Sequence, residues 1–145
     1  MTGSTGCAMK VIASLIFVVI SSAAFAATSE GYGMGGRIEK FQPEIDRATA
    51  SGELFRIEGH CQSNCTLFLG LRNVCVERSA TLLFHAGHDR QRNINAFSTQ
   101  RMLSAYNARL RRYVLENHYM DTLEFHAIPG TVIIDRFGYK ECPRK

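Results

Sequence analysis

The sequence predicts one α/β domain, and three observations lead there. The chain has 145 residues, 46% of them hydrophobic, which suits a single globular fold. Ile38, Phe41, Ile45 and Ala48 recur at helical spacing, and Leu54-Phe55-Arg56-Ile57 then alternates as a half-buried strand does. Ala80 to Phe84 is nearly continuous in apolar residues, the pattern of a strand covered on both faces. Helical and strand patterns interleaved along one chain are the mark of this fold class.

The elements follow in order. Residues 1–26 read as a signal peptide: Lys10 supplies a short positive region, Val11 to Ile20 is an apolar stretch, and Ala24-Phe25-Ala26 is a small-x-small cleavage pattern. Met9 is an alternative start, and the rival reading is an uncleaved N-terminal anchor, which the shortness of the apolar stretch disfavours. Cys7 precedes the apolar stretch and is not placed as a lipid acceptor. Residues 27–34 read as a linker and 35–145 as the folded domain. Within Gly31-Tyr32-Gly33-Met34-Gly35-Gly36 the glycines suit either a flexible linker or a close backbone approach.

A helix follows up to Gly52, with Pro43 expected to kink it or to mark where its regular part begins. After the Leu54 strand, Thr66 to Leu69 reads as a short buried helix stopped by Gly70. Asn73 to Glu77 and Ala80 to Phe84 read as strands, and Asp89 to Asn95 as a polar loop. Ser98 is the expected N-cap of one long helix burying Met102, Tyr106, Leu110 and Tyr113. Val132, Ile133 and Phe137 make a last short helix, stopped by Gly138.

Charge excludes little but helps. The formal net charge is +4, and +3 once Lys10 is set aside with the leader, too mild and too dispersed for a nucleic-acid surface. The basic run Arg109 to Arg112 reads as a solvated helix face. Four cysteines follow the leader: Cys61, Cys65, Cys75 and Cys142. An even count in a small exported domain favours two disulfides, with three connectivities open. Cys65–Cys75 with Cys61–Cys142 is the weakly preferred set.

The chemistry concentrates at Cys61-Gln62-Ser63-Asn64-Cys65. Ser63 falls on a strand-to-helix turn, where a hydroxyl is presented outward and the following backbone N–H groups can stabilise an oxyanion. The plain alternative is an N-cap serine. His60, Cys61, Cys65, His85 and His88 also offer a zinc-like ligand mixture, although exported thiols are more often oxidised than metallated. No metal and no cofactor is assigned.

Gly35-Gly36 opening a helix, Ser63 between two cysteines at a helix start, and His85 ending the Leu82 to His85 strand together resemble the Clp-protease proteolytic subunit. More narrowly, they resemble the small exported Clp-protease-like proteins of bacteria. The resemblance covers most of Met34 to Pro143, including Thr131 to Gly138. It implies a ClpP/crotonase-like fold of stacked ββα units, small and incomplete at the front. It also implies a serine hydrolase or peptidase with Ser63 as nucleophile and His85 as general base. Gly35 or Gly36 and Asn64 would donate to the oxyanion, and the substrate would be a peptide or protein.

Two departures qualify the implication. The family carries a further strand and helix ahead of the double glycine, so a sheet edge is missing here or is borrowed, which leaves a homo-oligomer open. The family's aspartate position falls on or near His126, so Asp121, or else Glu124, is the expected orienting acid. A non-catalytic binding domain of the same fold is the alternative function. No nucleic acid partner and no stable membrane span after leader cleavage are expected.

Overall fold

The computed structural model describes residues 1–3 and 27–145. The expected leader features, from Lys10 to Ala26, lie outside the described residues. In chain order the elements are β1 (Ala27–Thr28), α1 (Ile38–Ser51), β2 (Phe55–Ile57), β3 (His60–Gln62) and a 3-10 helix (Ser63–Gly70). Then come β4 (Val74–Val76), β5 (Thr81–Phe84), α2 (Ala96–Ala105), α3 (Ala108–Glu116), β6 (His126–Pro129) and α4 (Gly130–Asp135). Among the described residues no helix is long and apolar enough to cross a membrane.

The strands make two small sheets, so the fold is mixed α/β. One has the order β1-β2-β4, all parallel; the other has the order β3-β5-β6, with β5 and β6 antiparallel. β2 leads into β3 across Glu58-Gly59, and β4 leads into β5, so one pair of neighbouring chain segments crosses from the first sheet to the second. Gly59 makes the bend at a φ of +62°, a conformation only glycine adopts without cost. All three residues of β2 and of β4 are buried, Arg56 included, as parallel strands covered on both faces require. Arg56 is tolerated because its guanidinium is paired, donating to Glu77 at 2.8 Å and to the Pro143 carbonyl at 2.8 Å.

The core forms where α1 and the 3-10 helix cover these sheets. Phe41 and Ala48 of α1 are buried, and Ile38 and Ile45 pack against the core. Phe68 stacks on Phe55 at 4.3 Å and meets Tyr32 edge-on at 5.3 Å. Pro43 neither ends nor starts α1. It lies on an exposed face, and the carbonyl it leaves without a donor belongs to the exposed Glu39, which is open to solvent. Gly52 stops the helix at a φ of +65°, its N–H donating to the Ala48 carbonyl.

Four further differences from the sequence expectation bear on the fold. Residues 27–34 are no linker: β1 pairs with β2, and Ser29 is buried with its hydroxyl on the Glu58 carbonyl. The expected long helix is two helices, broken at Tyr106 (ψ 144°). Tyr106 is buried and its hydroxyl meets Thr66 Oγ1 at 2.7 Å, a contact that a continuous helix would have to abandon. Asn107 then caps α3 by accepting from the Leu110 N–H, and Asn95, not Ser98, caps α2 by accepting from the Ser98 N–H.

The disulfides are the fourth difference. They are Cys61–Cys65 and Cys75–Cys142, not the preferred Cys65–Cys75 and Cys61–Cys142. Cys61 lies in β3 and Cys65 in the first turn of the 3-10 helix, which sets their Cα atoms 5.2 Å apart. Cys75 faces the returning C-terminal segment instead: Val76 bridges to Glu141, and Cys142 donates its N–H to the Val76 carbonyl. All four cysteines among the described residues are oxidised, which fits an oxidising compartment.

Candidate active site

The turn after β3 is one of three places, with Arg92 and His118, where a non-glycine residue among the described residues takes a positive φ. Ser63 has a φ of +56°, and left-handed backbone at a non-glycine residue costs about 1–2 kcal/mol. Something must hold it there. The Cys61–Cys65 bridge closes the turn around Ser63. A glycine strap, Gly33 to Gly36, lies along the turn's other side. Gln62 donates its N–H to the Gly33 carbonyl and its side-chain amide to the Met34 carbonyl, both at 2.9 Å. Asn64 donates its side-chain amide to the Gly36 carbonyl at 2.7 Å.

The strap needs glycine to come this close. A Cβ on Gly35 would stand 2.9 Å from Ser63 Cβ and from the Gln62 carbonyl oxygen, and the residue already has a φ of +69°. Gly36 is different: a Cβ there would meet nothing within 4 Å, and its N–H donates no backbone hydrogen bond among the described residues. Of the expected oxyanion donors, the Gly35 N–H is already committed to the Tyr32 carbonyl at 3.0 Å. Asn64 opens the 3-10 helix, where first-turn N–H groups have no partner within the helix. Gly36 and Asn64 are therefore the donors left for a ligand.

His85 follows β5 directly and is only 3% exposed. Neither ring nitrogen has a hydrogen-bond partner. The neighbouring backbone is pinned on both sides: Ala86 donates to the Thr122 carbonyl at 2.8 Å, and Gly87 donates to Thr99 Oγ1 at 2.9 Å. The His85 ring meets Phe125 edge-on at 4.7 Å and lies 5.9 Å from the His88 ring. Burial, aided by the positive fields of His88 and Arg92, holds its pKa below the usual 6.5. The ring is therefore neutral at neutral pH, with a lone pair free to accept a proton.

Ser63, Asn64, Gly36 and His85 line one cavity of about 420 Å³. Ile38, Phe97 and Met102 give it apolar wall, and Arg101 stands at the same cavity. No hydrogen bond joins Ser63 to His85.

Asp121 is elsewhere engaged. Its carboxylate pairs with His118 Nδ1 at 2.7 Å on the exposed surface, although the backbone beside it reaches Ala86. Glu124 is also exposed and makes no hydrogen bond to His85. His126, at the expected aspartate position, lies flat on Tyr119 at 4.3 Å. No carboxylate orients His85; the aromatic ring of Phe125 packs against it instead.

Sequence reading missed Phe125, Phe97 and Arg101. Phe97 and Arg101 are spaced i, i+4 on α2, the spacing that puts two side chains on one helix face, and this was the available signal. Among the described residues no group of three or more His, Cys, Asp or Glu is placed to hold a metal ion. Cys61 and Cys65, two of the zinc-like candidates, are bonded to each other. A second, shallower cavity of about 520 Å³ is lined by Glu58, His60, Glu77 and Lys145, with Lys145 ion-paired to Glu58 at 2.6 Å. No protein-family model, no curated protein and no solved structure matches this chain.

Proposed function

We propose that the protein is an exported serine hydrolase of the peptidase type, with a ClpP/crotonase-like arrangement and a Ser63–His85 pair as its machinery. One observation carries the reading. A serine held in left-handed backbone and a buried, unpartnered, neutral histidine line the same cavity.

The chemistry follows from those groups. A serine hydroxyl is a poor nucleophile until a base takes its proton; His85 and His88 both line the cavity, and the buried, neutral His85 ring is the base of this reading. As Ser63 Oγ bonds to an acyl carbon, its proton passes to an imidazole nitrogen of His85, and the carbonyl π pair moves onto oxygen. The N–H groups of Gly36 and Asn64 receive that oxyanion. The tetrahedral species expels the amine or alcohol, which takes the proton from His85. Water then cleaves the acyl-serine by the same sequence, with His85 again as base. Without a carboxylate on His85 this is slow chemistry, since loss of orienting acid in a serine triad lowers turnover about 10⁴-fold.

The mixed α/β fold with its paired parallel strands supports the ClpP/crotonase-like part, and the two disulfides support export. A fluorophosphonate probe tests the reading: it adds covalently to Ser63 in the wild-type protein and to nothing in Ser63→Ala. The second reading, a binding domain that keeps the fold without the chemistry, is favoured by the Phe125 packing of His85. A wild-type protein that resists the probe selects it.

A further inference from the structure

The cavity wall carries an unequal charge set. Arg37, Arg90 and Arg101 face two carboxylates, Glu39 and Asp89. Both carboxylates are already served. Arg37 donates twice to Glu39, at 3.2 and 3.3 Å. Asp89 accepts from the N–H groups of Gln91 and Asn93 and from the Asn93 side-chain amide, all within its own loop.

Arg101 has no carboxylate partner among the described residues. Its guanidinium donates to Gln42 Oε1, a neutral acceptor on α1, which holds the side chain across the gap between α1 and α2. Arg90 forms no ion pair within 4.0 Å among the described residues, but its charge acts on the Glu39 carboxylate. The cavity that holds Ser63 and His85 thus presents an anchored guanidinium whose charge is not neutralised.

We propose that the cavity selects an acyl substrate that carries a carboxylate, an acidic peptide side chain above all, seated on Arg101. This rests on the serine hydrolase reading of the same cavity and names its substrate class. The guanidinium offers a planar fork that matches a carboxylate, and a charge-assisted hydrogen bond is about twice as strong as a neutral one. Phe97, 77% exposed at the cavity, supplies apolar surface beside the charge.

Binding is measured without turnover in Ser63→Ala. N-acetyl-Ala-Glu-amide and N-acetyl-Ala-Gln-amide are titrated while the ring protons of His85 and His88 are followed by NMR. The glutamyl peptide is expected to give a saturable shift with about tenfold higher affinity than its glutaminyl twin, the worth of one well-placed charged contact. Arg101→Gln removes that preference, and Arg101→Lys, which keeps the charge without the fork, retains part of it. Equal affinities, no saturable shift with the glutamyl peptide, or a preference that survives Arg101→Gln each overturn the proposal. Fluorophosphonate addition to the wild-type protein is scored separately, so failure of the catalytic reading is distinguished from failure of this one.

Discussion

His85 and His118 occupy opposite kinds of surroundings in one small domain. His118 is exposed and has a carboxylate three residues on, with Asp121 at 2.7 Å. His85 is buried and has no polar partner on either nitrogen. By the usual look of an acid–histidine pair, His118 is the better assembled of the two. Yet it lines neither of the two cavities described, while His85 shares one with a strained serine. The contrast teaches that a histidine's catalytic fitness is set by what shares its cavity and by the protonation state burial gives it. A neighbouring carboxylate on open surface contributes little, because water screens the pair.

The sharpest way to break the contrast is to delete each imidazole. His85→Ala is expected to slow fluorophosphonate addition to Ser63 by about 10²- to 10⁴-fold, the range a general base contributes. His118→Ala should leave the rate unchanged within about twofold. A far-ultraviolet circular dichroism spectrum of each variant guards against reading misfolding as chemistry. A rate that falls in His118→Ala instead would transfer the base assignment.

Next in size is the effect of supplying the missing acid. Phe125 is about half exposed and packs on the His85 ring, so Phe125→Glu places a carboxylate there with little core disturbed. An opposite charge favours the imidazolium, so the His85 pKa should rise from below 6.5 toward or past it. Histidine NMR titration reads the shift, and labelling should quicken several-fold if the carboxylate also orients the ring. An unmoved pKa would show that residue 125 does not approach His85 in solution.

The pH profile gives a smaller but signed effect. The neutral imidazole is the competent base, and its pKa lies below 6.5, so the labelling rate should hold down through pH 6.5 and fall only below it. Stability follows the same group. The unfolded chain takes up the His85 proton at the ordinary value, before the folded one does. Folding free energy from this residue is therefore full above pH 6.5 and declines as pH falls from there to the folded pKa. Urea melts of wild type and His85→Gln across that window should converge at the acid end. A wild-type labelling rate that already falls above pH 6.5 would contradict the buried, neutral ring.

Much of this site could be read from the chain, for local reasons. The Ser63 turn, the strand delivering His85 and the double glycine rest on short-range patterns, and a strap that must lie against Ser63 Cβ leaves glycine as its only workable residue. What could not be read depends on contacts made across the fold. Tyr106 fits a helical apolar face, yet its hydroxyl is drawn out to Thr66, 40 residues earlier, and the helix breaks. The Cys75–Cys142 pairing spans 67 residues and follows from the C-terminal segment returning to β4, which no spacing rule foretells. Asp121 comes close to His85 along the backbone, but its side chain turns to His118, a choice of rotamer rather than of sequence.

The smallest expected effect is that of Asp121→Asn. It breaks the His118 pair, and the rate of Ser63 labelling should stay within about twofold of wild type, because the pair is exposed and serves no cavity. A fall of tenfold or more would return Asp121 to the role of orienting acid through a rearrangement on ligand binding.

The central claim is that Ser63 is activated by a buried imidazole that no carboxylate holds. Its most direct test is the second-order rate of fluorophosphonate addition, measured side by side in wild type, Ser63→Ala, His85→Ala and Asp121→Asn. The account predicts addition at Ser63 in wild type and in Asp121→Asn alike, at least hundredfold slower addition in His85→Ala, and none in Ser63→Ala. Equal rates in wild type and His85→Ala, or a wild-type serine that does not react at all, would contradict it.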